Sequence, residues 1–209
     1  MRTDYFVGLD LGQSADPTAI AVVERAEFPG EWDAVAYTHR IEMARRLRHM
    51  ERMALGTLYP EVVERVAQVM RSPALSKGRR HLVVDATGVG RPVVDLLVRE
   101  RLPCQLWAVT ITGGDAETYT NGYYRVPKRD LIVGLQLVFQ NRELQIAKGL
   151  KEGPALAREM SGMRVRVRDG GREQFGAREG EHDDLVLAVA LACWAERKGA
   201  VGGRQMRLL

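Results

Sequence analysis

The sequence predicts an α/β fold, a mixed β-sheet with flanking helices. Three observations carry this. Three strand-like runs follow one another near the N-terminus, separated only by turn-rich stretches. A strand–helix–strand succession comes next, and such a unit pairs its strands in parallel through a right-handed crossover. The final helix signal contains ten residues, Leu185 to Trp194, with no charge on any side, so it is expected to be buried. Strands in series joined to a βαβ unit give a layered fold with a sheet of mixed direction.

The first run is Tyr5 to Leu11, a near-continuous apolar strand. Thr18 to Glu24 and Trp32 to Arg40 read as the second and third strands, divided by QSADP and EFPGE. Met43 to Met53 is basic and Met-rich and reads as a loop or short helix. Tyr59 to Met70 has helical periodicity, with Pro60 tolerated in its first turn. His81 to Asp85 is a short strand, ATGVG a tight glycine turn, Arg91 to Arg101 a helix and Cys104 to Ile111 a strand. Thr112 to Arg125 reads as a loop. Helix signals return at Lys128 to Phe139 and Ala155 to Met160. Arg164 to Asp169 and Glu173 to Ala177 flank a DGG turn and read as a hairpin.

The chain of 209 residues is expected to form one domain over 1–198, with a loose Gly- and Arg-rich tail at 199–209. No run approaches the roughly 18 consecutive apolar residues of a membrane span, so no membrane partner is expected. The N-terminus lacks the charged-then-apolar pattern of a secretion leader. Cys104 and Cys193 both sit in apolar runs, which suggests free thiols in a reducing compartment. The net charge of +4 is compatible with a nucleic-acid partner without requiring one. Arginine dominates the cations, 26 against five lysines. Arginine forks suit phosphate, but a GC-rich genome favours the same residue.

Four acids stand out because each is set in apolar sequence: Asp10 in FVGLDLG, Asp85 at the end of HLVVD, and Asp183 and Asp184 at the mouth of the buried helix. Each has a plain reading. Asp10 can end a strand, Asp85 can cap the following turn, and Asp183 can cap the helix. Together they say more. If the first and fourth strands are neighbours, about 4.8 Å apart, Asp10 and Asp85 stand side by side. A helix start adding further carboxylates makes a self-repelling cluster unless it is protonated or filled by cations. All-oxygen donors favour a hard ion, Mg²⁺ or Mn²⁺. Two such ions support in-line phosphoryl transfer.

The stretches GLDLGQSADPTAIAVVE (8–24), VDATGVGRPVVDLL (84–97), VPKRDLIVGLQ (126–136) and FGAREGEHDDLVLAVALA (175–192) resemble the C-terminal nuclease domain of bacteriophage large terminases, within the RNase H-like superfamily. The resemblance spans roughly residues 4 to 195. It implies an RNase H-like fold and a two-metal endonuclease that cuts concatemeric phage DNA during packaging. It implies that Asp10 bridges both ions, that Asp85 is the second acidic ligand, and that Asp183, Asp184 or both complete the set. Asp16 resembles an extra acid that organises the site. Lys128 becomes a candidate contact to the scissile phosphate, against the plainer reading of a solvated lysine. His182 fits a capping or supporting role better than that of a ligand. The partners implied are double-stranded DNA, a terminase ATPase, a small terminase subunit and a portal. The setting implied is the cytoplasm of a bacterial host, with a phage or prophage gene. No GxxxxGK[ST] phosphate loop is present, so the chain is not expected to pump DNA by itself.

Three other readings share some of these residues. A Holliday-junction resolvase would use the same chemistry, but it places its last two acids three residues apart. An actin or sugar-kinase-like phosphotransferase also opens with D-x-G, as at Asp10 to Gly12, but needs a duplicated domain. A non-catalytic DNA-binding packaging protein would have little reason to keep unpaired acids beside a core. For DNA, two basic stretches are candidates, His39 to Arg52 and Met163 to Arg172. In the second, Arg164, Arg166 and Arg168 alternate along one strand face and could track a phosphate backbone. A solvated strand face is the plainer reading. That hairpin would also be placed to gate the groove, as a similar one is thought to do in the family.

Overall fold

The computed structural model describes residues 2–12, 16–88, 90–167, 173–176 and 182–201. The strands among them are β1 (Arg2–Asp10), β2 (Ala19–Asp33), β3 (Thr38–Arg52), β4 (Arg79–Asp85), β5 (Gln105–Thr112), β6 (Thr118–Thr120), β7 (Tyr123–Pro127), β8 (Leu144–Ile146), β9 (Arg164–Val167) and β10 (Glu173–Gly176). The α-helices are α1 (Tyr59–Arg71), α2 (Gly90–Arg99), α3 (Lys128–Gln140), α4 (Gly153–Gly162) and α5 (Asp184–Val201). Eight strands form one sheet in the order β6-β7-β5-β4-β1-β2-β3-β8, and β9 pairs with β10 apart from it. β1, β2 and β3 run antiparallel in series, while β4 and β5 add in parallel on the other side of β1. The mixed sheet expected from the sequence is therefore present, with β1 and β4 as neighbours.

Strand alternation divides the core in two. Tyr5, Val7 and Leu9 of β1 pack with α1 and α2 on one face. Phe6 packs on the other face with α5. Gly8 lies on that second face too, where a Cβ would stand 1.9 Å from the carbonyl oxygen of Ala188. Glycine here lets α5 lie directly on β1. Every residue from Leu185 to Ala195 is buried, because α5 is enclosed by the sheet, α3 and α4. Each large aliphatic side chain on it contributes about 1.5–3 kcal/mol by burial. This enclosure explains a helix that is apolar all round.

Three expectations need correction. Trp32 to Arg40 is no strand of its own: it ends β2, turns through 34–37 and begins β3. Met43 to Met53 is neither loop nor helix but most of β3. The cause is a bulge, since Val22 pairs with His49 and Val23 with Leu47, leaving Arg48 as an extra residue. Leu47 and Met50 therefore share one face three positions apart, which disguises the strand's period of two. Thr112 to Arg125 is not all loop: β6 and β7 form a hairpin across Asn121 and Gly122. Both turn residues have positive φ, 53° and 84°, the signature of a primed turn. The hairpin read at 164–177 is present as β9 and β10, but its DGG turn lies outside the described residues. α5 runs on to Val201, three residues into the expected tail, and 202–209 lie outside the described residues. Both cysteines are free.

Candidate functional site

The C-terminal ends of β1 and β4 and the start of α5 meet at one edge of the sheet. In the parallel β1–β4 register Leu9 pairs with Val84, so Asp10 and Asp85 come one step later, side by side. Asp10 follows Phe6 and Gly8 in alternation and so points to the α5 side. Asp85 follows Val83 in the same way. The close approach of Gly8 to Ala188 fixes the height of α5 above β1. One helical turn before Ala188 comes Asp184, two residues after Gly8 comes Asp10, and the two acids are brought together.

The electrostatics are those of a crowded anionic pocket. Asp10 is only 8% exposed. Burial, then the charges of Asp85, Asp183 and Asp184, push its carboxyl well above the ordinary carboxylate range, with Lys128 opposing. Burial raises Asp85 as well, although Thr87 opposes it through its backbone N–H, 2.8 Å from Oδ1, and its hydroxyl. The turn-capping role of Asp85 is therefore real and leaves Oδ2 outside that turn. Asp183 starts α5 by accepting the Leu187 N–H at its carbonyl, and its side chain takes Lys128 Nζ at 2.7 Å. Asp184 is 3% exposed; burial raises its carboxyl, with Arg52 opposing.

Lys128 is thus a member of the cluster, delivered from the first residue of α3, and not a solvated lysine. Gly176 of β10 borders the same place: a Cβ there would stand 3.9 Å from Asp183 Oδ2 and 4.0 Å from Lys128 Nζ. The β9–β10 ribbon therefore reaches the acids. Arg164 is exposed at the start of β9, and Arg166 lies two positions along the same strand. Arg168 lies outside the described residues. Asp16 and His182 are exposed and paired with each other at 3.5 Å, and the charge of His182 also acts on Asp184.

Two residues beside the acids were not singled out from the sequence. Arg52 donates to Asp184, and Glu159 of α4 binds Arg52. Arg52 sat within a stretch read as a basic cluster for DNA. That stretch is largely ion-paired instead: Arg45 with Glu196 and Glu143, Arg46 with Glu24. The period of two running from Met50 to Arg52 was the available signal that Arg52 faces the core. Burial, above all, pushes the Glu159 carboxyl up to about 7.

Among the described residues, no three His, Cys, Asp or Glu side chains are already gathered into a formed metal centre. Asp183 and Asp184 are turned onto Lys128 and Arg52. The residues nonetheless fit a divalent cation. Oδ1 of Asp184 is buried and has no hydrogen-bond partner among the described residues. Asp10 carries an unfavourable charge that a cation would relieve. The donors are all oxygen, which suits Mg²⁺ or Mn²⁺.

No protein-family model and no curated protein matches this sequence. Solved structures do. The large terminase nuclease of thermophilic phage G20c with bound magnesium superposes with a TM-score of 0.62 at 18% identity, over 92% of this chain and 81% of that one. The large terminase nuclease domain of Thermus phage P74-26 gives 0.57 at 17% identity, over 91% and 78%. The nuclease domain of the bacteriophage SPP1 large terminase with bound manganese gives 0.52 at 13% identity, over 92% and 86%. The chain has the RNase H-like fold of these nucleases. No described helix is long and apolar enough to cross a membrane.

Proposed function

We propose that this chain is a divalent-metal-dependent DNA endonuclease of the large-terminase type, cutting phage DNA during genome packaging. The observation that carries the proposal is the meeting of Asp10, Asp85 and the Asp183–Asp184 pair at one sheet edge, in a fold shared with terminase nucleases. Buried carboxylates that repel one another are costly unless a cation offsets them.

Asp10, central among the acids, would hold both ions, with Asp85 on the β4 side and Asp184 on the α5 side. Two bound Mg²⁺ or Mn²⁺ ions would supply the charge that activates water and stabilises the phosphate in its transition state. The water oxygen bonds to phosphorus as the bond to O3′ breaks, leaving a 5′-phosphate and a 3′-hydroxyl that takes up a proton. Lys128, tied to Asp183 and beside β10, would contact the scissile phosphate once DNA is in place. Arg164 and Arg166 on β9 would meet the flanking backbone without reading sequence. Asp16 and His182, paired with each other, would support the loop and helix start that flank the cluster. An ATPase, a small terminase subunit and a portal would supply motion and docking.

The test is cleavage of supercoiled plasmid with Mg²⁺, Mn²⁺ or EDTA, comparing the wild type with Asp10→Asn and Asp184→Ala. Nicking or linearisation that needs the metal and disappears in both variants is expected. Equal cutting by Asp10→Asn and the wild type would remove the assignment.

A further inference from the structure

Asp184 is gripped by Arg52 of β3, a strand two places from the β1 of Asp10 and three from the β4 of Asp85. Asp10 pairs with Ala19, and Ala19 with Arg52, so these residues form one row across β1, β2 and β3. Ala19 packs on the α5 side, as Asp10 does, and only a methyl group separates Asp10 from Arg52 in that row. Arg52 Nε donates to Asp184 Oδ2 at 2.7 Å. Arg52 Nη2 donates to Glu159 Oε1, and Glu159 Oε2 accepts the Val186 N–H at 3.1 Å. These contacts close a ring: Glu159 of α4, Arg52 of β3, Asp184 of α5, and back through Val186 to Glu159. The guanidinium is planar, so fixing its Nη2 on Glu159 fixes the direction in which Nε binds Asp184. Asp184 Oδ1 is then the oxygen left over, buried and without a hydrogen-bond partner among the described residues.

We infer, resting on the reading of the acids as a divalent-cation site, that Arg52 is a positioning residue. Anchored by Glu159, it binds Oδ2 of Asp184 and so presents Oδ1 to the Asp10–Asp85 pair. The inference has a sign that a mere neighbouring charge does not share. A bare cation beside a cation site repels the metal, so its removal would tighten binding. A positioning residue strengthens binding by orienting the ligand, so its removal loosens binding. Partners that orient metal ligands are typically worth about 10–100-fold in affinity. Lysine keeps the charge but holds a single point without the fork, so it should restore binding only in part.

The experiment is Mn²⁺ affinity, read from the electron paramagnetic resonance of free Mn²⁺. It compares the wild type with Arg52→Gln, Arg52→Lys, Glu159→Gln and Asp10→Asn, with a metal-free melting temperature for each. Asp10→Asn should weaken Mn²⁺ binding, which checks the site itself. Arg52→Gln should weaken it about tenfold or more, with Arg52→Lys and Glu159→Gln in between. Unchanged or tighter binding in Arg52→Gln, with weaker binding in Asp10→Asn, overturns the role of Arg52 and leaves the site standing. Wild-type binding in Asp10→Asn overturns the site and the inference with it. If Arg52→Gln does not fold, wild-type affinity in both Arg52→Lys and Glu159→Gln overturns the inference.

Discussion

Gly8→Ala is a mutation far smaller than its expected effect. The new methyl would sit 1.9 Å from the Ala188 carbonyl oxygen, where ordinary contact begins at 3.4 Å. Either α5 rises by about 1.5 Å or β1 sinks into the α1–α2 layer. Overpacking of this kind costs about 1–3 kcal/mol. In a chain of this size each kcal/mol lowers the melting temperature by about 2–4 °C, so a loss of about 2–12 °C is expected. The same displacement carries Asp184 away from Asp10, and a misplacement near 1 Å can cost about 100-fold in rate. Urea unfolding should therefore show lost stability, and plasmid cleavage at 20 °C, below the melting transition, should show a far larger loss of rate. Ala188→Gly should not rescue the variant, because the clash is with backbone and not with the Ala188 side chain. Wild-type melting and wild-type cleavage in Gly8→Ala would refute the claim that this contact sets the spacing of the acids.

Other outcomes follow from the same geometry. Glu196 is fully buried and paired with Arg45 at 2.8 Å and Arg25 at 3.3 Å; Glu196→Ala leaves Arg45 with Glu143 and Arg25 with Glu27 and should cost about 1–3 kcal/mol in urea unfolding. Asp10 and Glu159 titrate higher in the folded protein than in the unfolded chain, so the folded state holds extra protons between pH 4.5 and about 7. The metal-free melting temperature should therefore rise as pH falls through that window, and saturating Mn²⁺ should flatten the rise. Well below pH 3.8, where the raised acids are protonated in both states, the slope should reverse: burial raises Glu51, but His49 and Arg65 outweigh it and hold it at about 2, a contribution lost on acidification. Lys128→Ala should lower cleavage about 100–1000-fold while leaving the melting temperature within a few degrees.

What the sequence revealed and what it concealed divide along physical lines. β1, β4 and α5 were legible because each is a nearly continuous apolar run with an acid at one end, and burial imposes that pattern locally. The adjacency of Asp10 and Asp85 followed once the first and fourth strands were taken as neighbours. β3 was hidden by its bulge at Arg48, which set Leu47 and Met50 three positions apart on one face. β7 was passed over although Asn121-Gly122 between aromatic and β-branched residues is a hairpin signal. The pairing of Arg52 with Glu159 was illegible for a different reason. Their meeting depends on the register of β3 and the docking of α4 on α5, and no local pattern encodes a contact across 107 residues of chain.

The most direct test of the central claim is to locate a cation in the protein. A crystal grown or soaked with Mn²⁺ and measured at the manganese absorption edge gives the ion's position without any assay of activity. The account predicts anomalous peaks bounded by Asp10, Asp85 and Asp184, with Asp184 Oδ1 turned toward them and Oδ2 still on Arg52. Saturated Mn²⁺ with no peak at these carboxylates, or peaks only elsewhere on the surface, would contradict it.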